Sequence, residues 1–287
     1  MTTHDPDILI GIDGGGTQCR FALLHDGERI EHRGGSANVH SDFDRAVITL
    51  KDGLAALADK AGLADLRSAR AYLGLAGVTG PEAASRVAEA LPIHRIAVSD
   101  DRITAVVGAL GARDGAVMGI GTGSFLARRA EGRVRLIGGW GLVLGDEASG
   151  AYLGRRALQR ALHVLDGLAE ATPFTDAIHA RYDSSPVGLL RFARDASAAE
   201  FATLAPMILD AARAGDIIAW EILREGADYI LHGLNRLGWT PGEVLCPIGG
   251  LAPHYAGFLP ADVAASFAEP AGSALDGALT LAAGVET

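Results

Sequence analysis

Two short stretches of this chain combine the residue types that handle phosphate. In Asp13-Gly14-Gly15-Gly16-Thr17 an aspartate closes an apolar run, and three glycines and a threonine follow. An oxyanion approaches a backbone closely only where no Cβ intervenes, and glycine also permits a positive φ. The N–H groups of Gly14, Gly15 and Gly16 can then cradle phosphate oxygens, with the Thr17 hydroxyl as a further donor. A carboxylate beside a phosphate is repulsive unless a cation sits between them. Asp13 therefore points to Mg²⁺, which takes few carboxylates together with phosphate oxygens. The plain reading is a tight turn with a capping aspartate. The second stretch, Gly119-Ile120-Gly121-Thr122-Gly123-Ser124, has the same ingredients without the aspartate. Its phosphate-binding set is Gly121, Thr122, Gly123 and Ser124. Neither stretch is a P-loop, because no lysine follows at the required spacing, and a dinucleotide fingerprint would need glycine at Ser124 or Leu126. Each turn alone is a weak signal. Two of them, facing each other across a cleft, would grip a nucleotide's phosphates from both sides.

Three further clusters carry polar chemistry. Asp100 and Asp101 end an apolar run and precede a helical one, at the strand end where open α/β sheets place ligands. An aspartate there can take a proton from an attacking hydroxyl; the plain alternative is a helix N-cap, which Asp100 fits and which leaves its neighbour for chemistry. In "GGWGLVLGDEASG" three glycines, Gly138, Gly139 and Gly141, flank Trp140, and Asp146 and Glu147 follow. An indole fits the apolar face of a sugar ring while carboxylates bind its hydroxyls; the alternative is a core tryptophan and a capping pair. Asn38, in "GGSANV", can donate to and accept from a hydroxyl, though a lone loop asparagine is usually a turn residue. The nine histidines show no paired metal-ligand spacing, and no serine sits in a G-x-S-x-G elbow.

The elements that must position these residues form an α/β pattern that starts twice. Residues 8–12, 19–24 and 29–33 read as strands, the last two joined at Asp26-Gly27. A helix over 43–62, a strand over 70–77, a helix over 81–90, the strand "HRIAVSDD" and a helix over 102–110 follow. The strand–glycine turn–strand–turn–strand order then recurs from residue 115, with Gly123-Ser124 lying 107 residues after Gly16-Thr17. A repeat of this size predicts two similarly folded halves, residues 1–112 and 113–287. The second half is expected to be mostly helical, over 149–168, 174–181, 186–194, 198–214 and 216–237. A strand running into Gly249-Gly250 comes next, and a short Ala/Leu-rich helix closes the chain.

Composition narrows the partners. The chain has 287 residues and a formal charge of −10, from 25 Lys and Arg against 35 Asp and Glu. With no basic cluster, it is a poor binder of nucleic acid or anionic membranes. The expectation is no nucleic-acid and no membrane partner, and no apolar run reaches the roughly 18 residues of a span. The two cysteines, Cys19 and Cys246, suggest neither a disulfide framework nor a Cys-rich metal site, and read as reduced, partly buried thiols of a cytoplasmic protein. The N-terminus lacks the charge and apolar pattern of a signal peptide.

Taken together, "GIDGGGT", "SAN", "LGLAG", "SDD", "GIGTGS", "GGWGLVLGDEASG", "IGGLAP" and "LDGALTLA" resemble the superfamily of sugar kinases, heat-shock chaperone ATPases and actin. Within it, the chain looks most like the N-acetylglucosamine kinases and the related BadF-type ATPases. The resemblance spans nearly the whole chain and implies a two-lobed, duplicated βββαβαβα fold (actin-like, or ribonuclease H-like) with ATP and Mg²⁺ in the cleft. By position it makes Asp13 the Mg²⁺-associated residue and Asp101 the base that activates a sugar 6-hydroxyl, with Asp100 in reserve. Asn38, Gly77, Asp100, Asp101, Gly139, Trp140 and Asp146 fall in the sugar region, and Gly249 and Gly250 on the adenosine side. The family's closing helix implies that residues near 275–285 pack toward the first lobe, and the family favours a homodimer. One departure is Ala148, where these kinases usually carry glycine after the acidic pair. The implied activity is phosphorylation of N-acetylglucosamine by ATP, with glucosamine kinase as the near alternative. An activator ATPase of an acyl-CoA reductase would need cysteines that hold an iron–sulfur cluster between subunits. A sugar-sensing repressor would need a DNA-binding domain ahead of a first strand that begins at residue 8.

Overall fold

The computed structural model describes residues 8–16 and 18–286. Thr17, one of the expected phosphate donors, lies outside the described residues. Two compact units make up the chain. The first runs to Arg113 and resumes at Pro270; the second is Asp114–Glu269.

The first unit begins with strands β1 (Leu9–Gly14), β2 (Cys19–His25) and β3 (Glu28–Gly34). The β2–β3 turn is Asp26-Gly27, with φ of 50° and 79°. Positive φ at both central residues matches the twist of a two-residue hairpin, which is why Asp-Gly suits it. Helix α1 (Phe43–Ala61) follows, capped by the Asp42 carboxylate at its start and by Gly62 in the left-handed region at its end. Then come β4 (Arg70–Leu75), α2 (Pro81–Ala90), β5 (Arg95–Asp100) and α3 (Asp101–Leu110). The sheet order is β3-β2-β1-β4-β5. β1, β4 and β5 run parallel, and Ile10, Ile12, Leu73 and Leu75 are fully buried.

The second unit repeats the opening: β6 (Gly115–Ile120), β7 (Ser124–Ala130) and β8 (Arg133–Gly138). Its hairpin turn, Glu131-Gly132, again takes positive φ at both residues, 52° and 73°. Helices α4 (Gly150–Leu165), α5 (Pro173–Arg181), α6 (Pro186–Asp195), α7 (Ala198–Ala202), α8 (Ala205–Arg213) and α9 (Ile217–Leu237) come next. The single helix expected over 198–214 is therefore two. Pro206 has no N–H to give and its ring crowds the carbonyl four residues back, so it can only enter in the first turn of a new helix. Thr203 Oγ1 donates to the Glu200 carbonyl at 2.6 Å where the first helix stops. After β9 (Leu245–Ile248), a 3₁₀ turn (Ala252–Gly257) and α10 (Ala261–Ala264) complete the unit. Its sheet order, β8-β7-β6-β9, matches the first four positions of the first sheet. Where the duplicated pattern predicts a fifth strand, the described residues show only an isolated parallel bridge from Leu245 to Phe267.

The closing helix α11 (Ala274–Ala282) belongs to the first unit and packs on β1 and α3. A Ser273–Asp276 capping box starts it. It crosses α3 backbone to backbone: a Cβ on Gly108 would strike the Ser273 carbonyl, and one on Gly277 the Thr104 carbonyl. Among the described residues no helix is long and apolar enough to cross a membrane.

Candidate active site

Register brings the first unit's polar residues to one end of its sheet. Gly14 lies opposite Leu75, and Leu75 opposite Asp100, so β1, β4 and β5 end level with one another. The loop after β3 folds over these ends. Ala37 N donates to the Gly15 carbonyl at 3.2 Å, and Val39 N to the Ala76 carbonyl at 3.1 Å. Gly14–Gly16, Asn38, Gly77, Asp100 and Asp101 are thereby gathered at the carboxyl ends of parallel strands.

The three glycines do different jobs. A Cβ on Gly14 would run into Leu75 and lie 3.2 Å from Ala37, so this glycine serves packing. Gly15 and Gly16 keep the bare backbone that an oxyanion needs; a Cβ on Gly16 would come no nearer than 4.0 Å, to Asn38 Nδ2. None of the three uses a positive φ, contrary to the sequence expectation. Asp13 sits opposite Arg20 on β2. Arg20 Nε donates to Asp13 Oδ2 at 2.9 Å, and Arg20 Nη2 binds the same oxygen. Asp13 thus presents a hard oxygen of the kind Mg²⁺ takes, already steadied by one cation. Sequence reasoning missed Arg20. Its signal was the cross-strand position, which only the Gly14–Cys19 pairing at the start of the hairpin defines.

Asn38 is a turn residue first. Its Oδ1 accepts from His40 N at 3.0 Å and Ser41 N at 3.2 Å, which leaves the amide Nδ2 as the group able to meet a hydroxyl. Gly77, at φ 86°, packs against that turn; a Cβ there would lie 2.6 Å from Asn38 Oδ1. Asp100 is the N-cap of α3, and its carboxylate accepts from Arg102 N at 2.8 Å. Asp101 opens that helix. Burial pushes its carboxyl up to about 6, the charges of Asp100 and Asp13 push the same way, and Arg102 opposes them. A carboxylate of that affinity at a strand end is suited to accept a proton near neutral pH.

In the second unit the glycine turn after β6 hangs on the start of α4. Gly150 N donates to the Gly121 carbonyl at 2.8 Å and Ala151 N to the Thr122 carbonyl at 3.2 Å. Ser124 is buried, and its hydroxyl donates to the Glu147 carbonyl at 2.5 Å, so that expected phosphate donor is spent inside the protein. A Cβ on Gly123 would come 2.9 Å from Asp146 Oδ2; glycine there makes room for a buried carboxylate. Asp146 Oδ1 accepts from Gly141 N at 3.2 Å. Gly139 and Gly141, at φ 76° and 82°, turn the loop so that Trp140 is 74% exposed. Trp140 is therefore no core residue, and the cap of α4 is Ser149 rather than the acidic pair. Ala148 sits at φ 69°, the left-handed region that glycine prefers, so alanine is the strained choice at this position. The Tyr255 hydroxyl donates to the Ala148 carbonyl at 2.7 Å and holds it there.

Gly249, at φ 88°, presses on the same turn, and a Cβ would strike the Ile120 carbonyl. The next residue, Gly250, lines a cavity of about 520 Å³ together with Gly121 and Thr122. Ala205, Pro206 and Leu209 of α8 form its apolar wall, and Asp210, Arg213 and His254 lie at its polar rim. Arg213 Nη1 donates to Asp210 Oδ1 at 3.2 Å, and Arg213 Nη2 lies 3.1 Å from His254 Nδ1. Volume and lining suit a nucleoside: an apolar slot for a ring beside a glycine turn. None of the α8 residues was legible as ligand-facing, because a helix surface gives no sequence sign of the pocket it borders. Among the described residues no group of three or more His, Cys, Asp or Glu could hold a metal.

Several known proteins are similar to this chain. A glucosamine kinase of Vibrio cholerae is 30% identical over 278 residues, covering 95% of each chain. An N-acetylmuramic acid/N-acetylglucosamine kinase of Clostridium acetobutylicum is 28% identical, covering 76% of this chain and 75% of its own. A solved structure from Chromobacterium violaceum, provisionally named an N-acetylglucosamine kinase, superposes with a TM-score of 0.84 at 31% identity, covering 96% of this chain and 99% of its own. A glucokinase of the ROK family from Streptomyces griseus, at 17% identity and a TM-score of 0.55, covers 96% of this chain and 99% of its own and shares the fold. The BadF/BadG/BcrA/BcrD ATPase family model matches residues 10–256, and the chain is a member of that family, built on the actin-like sugar-kinase fold.

Proposed function

We propose that this chain transfers the γ-phosphoryl group of ATP to the 6-hydroxyl of N-acetylglucosamine, with Asp101 as the base. As a class the chain is an ATP-dependent amino-sugar kinase, in line with its kinase relatives. The observation that carries the finer reading is Asp101 itself: a largely buried carboxylate with raised proton affinity, at the strand end that also carries the bare Gly15-Gly16 turn. Phosphoryl transfer is mostly positioning and charge neutralisation. In this reading Asp101 orients the hydroxyl and takes its proton. In the first unit Asn38 Nδ2 is the group for a sugar hydroxyl, and Gly15 and Gly16 those for phosphate oxygens. In the second unit the Asp146 carboxylate and Trp140 are the sugar-side groups, Gly121 and Thr122 those for phosphate, and the cavity beside Gly250 takes the adenosine. Asp13, whose Oδ2 is engaged by Arg20, is the residue that would hold Mg²⁺, and the ion would supply neutralisation of phosphate charge.

Glucosamine is the second reading, because the Vibrio cholerae relative named for it covers 95% of this chain. The activator role is disfavoured by burial. Cys19 and Cys246 are both fully buried, and burial drives the Cys19 thiol well above its usual range, whereas a cluster held between subunits needs accessible thiolates. ADP release measured with glucosamine, N-acetylglucosamine, N-acetylmannosamine and glucose tests the substrate. N-acetylglucosamine should give the highest kcat/KM; a preference for glucosamine moves the assignment to the second reading, and turnover of glucose alone overturns both. The dimer is part of the same proposal and is checked by light scattering.

A further inference from the structure

Asp100 is bound up more tightly than a ligand-facing carboxylate needs to be. Arg102 Nε donates to its Oδ1 at 2.6 Å and Arg102 Nη2 to its Oδ2 at 2.7 Å, a two-pronged fork added to the cap bond from Arg102 N. The Arg102 and Asp100 side chains are only 21% and 23% exposed. Behind them, Ser99 Oγ donates to the Asp100 carbonyl at 2.9 Å, and Thr104 Oγ1 donates to the Asp101 carbonyl at 2.8 Å. The residues on either side of Asp101 are therefore clamped to each other, across the junction where β5 becomes α3. A paired guanidinium–carboxylate fork fixes direction as well as distance, which a point charge does not. Both oxygens of Asp100 face the protein. That argues against the substrate contact and the reserve-base role that the sequence assigned to it.

We propose that Asp100 and Arg102 are positioning residues, whose fork sets the first turn of α3 and with it the direction in which the Asp101 carboxylate is presented. The inference rests on Asp101 being the base. A misplacement of about 1 Å can cost as much as a hundredfold in rate.

The test is steady-state kinetics on four variants. Arg102→Gln breaks the fork and leaves the cap. Asp100→Ser keeps a cap oxygen and breaks the fork. Arg102→Lys keeps the charge without the fork. The fourth joins Asp100→Ser with Arg102→Gln. A positioning pair predicts a fall in kcat of about tenfold or more in all four. KM for ATP should stay within about twofold, and the double variant should be no worse than the worse single, since the fork acts as one unit. Wild-type kcat in Arg102→Gln or Arg102→Lys overturns the proposal. So does a loss in Asp100→Ser as deep as that of Asp101→Asn, which would make Asp100 the base. If Asp100→Ser does not fold, Arg102→Lys decides alone. Near-normal turnover in Asp101→Asn would instead remove the base reading on which this one stands.

Discussion

The two glycine turns are copies in sequence and differ in how they are held. The first, at Gly14–Gly16, is pinned by neighbouring loops: Gly15 N reaches Gln18 O, and Ala37 N reaches Gly15 O. It is ringed by charge, from Asp13, Arg20, Asp100, Asp101 and Arg102. The second, at Gly121–Ser124, is pinned by the first turn of α4 and by Gly249, and it borders an apolar cavity. Duplication supplied two bare backbone turns. The side chains around them diverged, so that carboxylates and arginines surround the first turn while the second borders an apolar cavity. The same repeat thus yields two turns with different surroundings.

That asymmetry can be broken from either side, beginning with the charged one. Asp101→Asn should lower kcat by roughly 10²–10⁴ while a fluorescent ATP analogue still binds; near-normal kcat would sink the assignment. The same variant should be more stable. A carboxyl raised to about 6 from an ordinary value of 3.8 favours the native state below the unfolded value and loses that favour as pH rises through about 6. At neutral pH the ionised group costs on the order of 1–3 kcal/mol, so thermal unfolding of Asp101→Asn at pH 7 should move upward. The sign for activity is the reverse: kcat/KM should drop as pH falls through about 6, where Asp101 gains its proton. A flat profile from about pH 5 to about pH 8 would contradict the base.

On the nucleoside side, Gly249→Ala places a Cβ against the Ile120 carbonyl at a positive φ. It should raise KM for ATP about tenfold and leave KM for sugar within about twofold, since a tenfold change needs only about 1.4 kcal/mol. Equal effects on both substrates would blur the division between the units. The smallest effect belongs to Ala148→Gly. Relief of the left-handed conformation at φ 69° should add about 1 kcal/mol, or a few degrees in Tm, with kcat unchanged.

Much of the fold is legible in the sequence alone. Asp26-Gly27, Gly62 and Pro81 each dictate their local geometry through backbone chemistry, and the elements lie where those residues put them. The repeat announces the second sheet. What stays hidden is long-range or collective. The fork from Arg102 back to Asp100 depends on a helix beginning at Asp101 and not one residue later. Asp210, Arg213 and His254 meet only because α8 passes the turn after β9. Gly14 and Gly123 carry no mark that one answers to Leu75 and the other to Asp146. Glycine motifs state that space is needed; packing decides for what.

The acceptor and the base are best tested together. Phosphorus NMR of the product made from Mg²⁺-ATP and N-acetylglucosamine, by the wild-type chain and by Asp101→Asn at equal concentration, addresses both. The prediction is a single phosphomonoester on the 6-oxygen with the wild-type chain, and at most about one hundredth of that rate with the variant. Phosphate on another oxygen, or equal product from the variant, would contradict it.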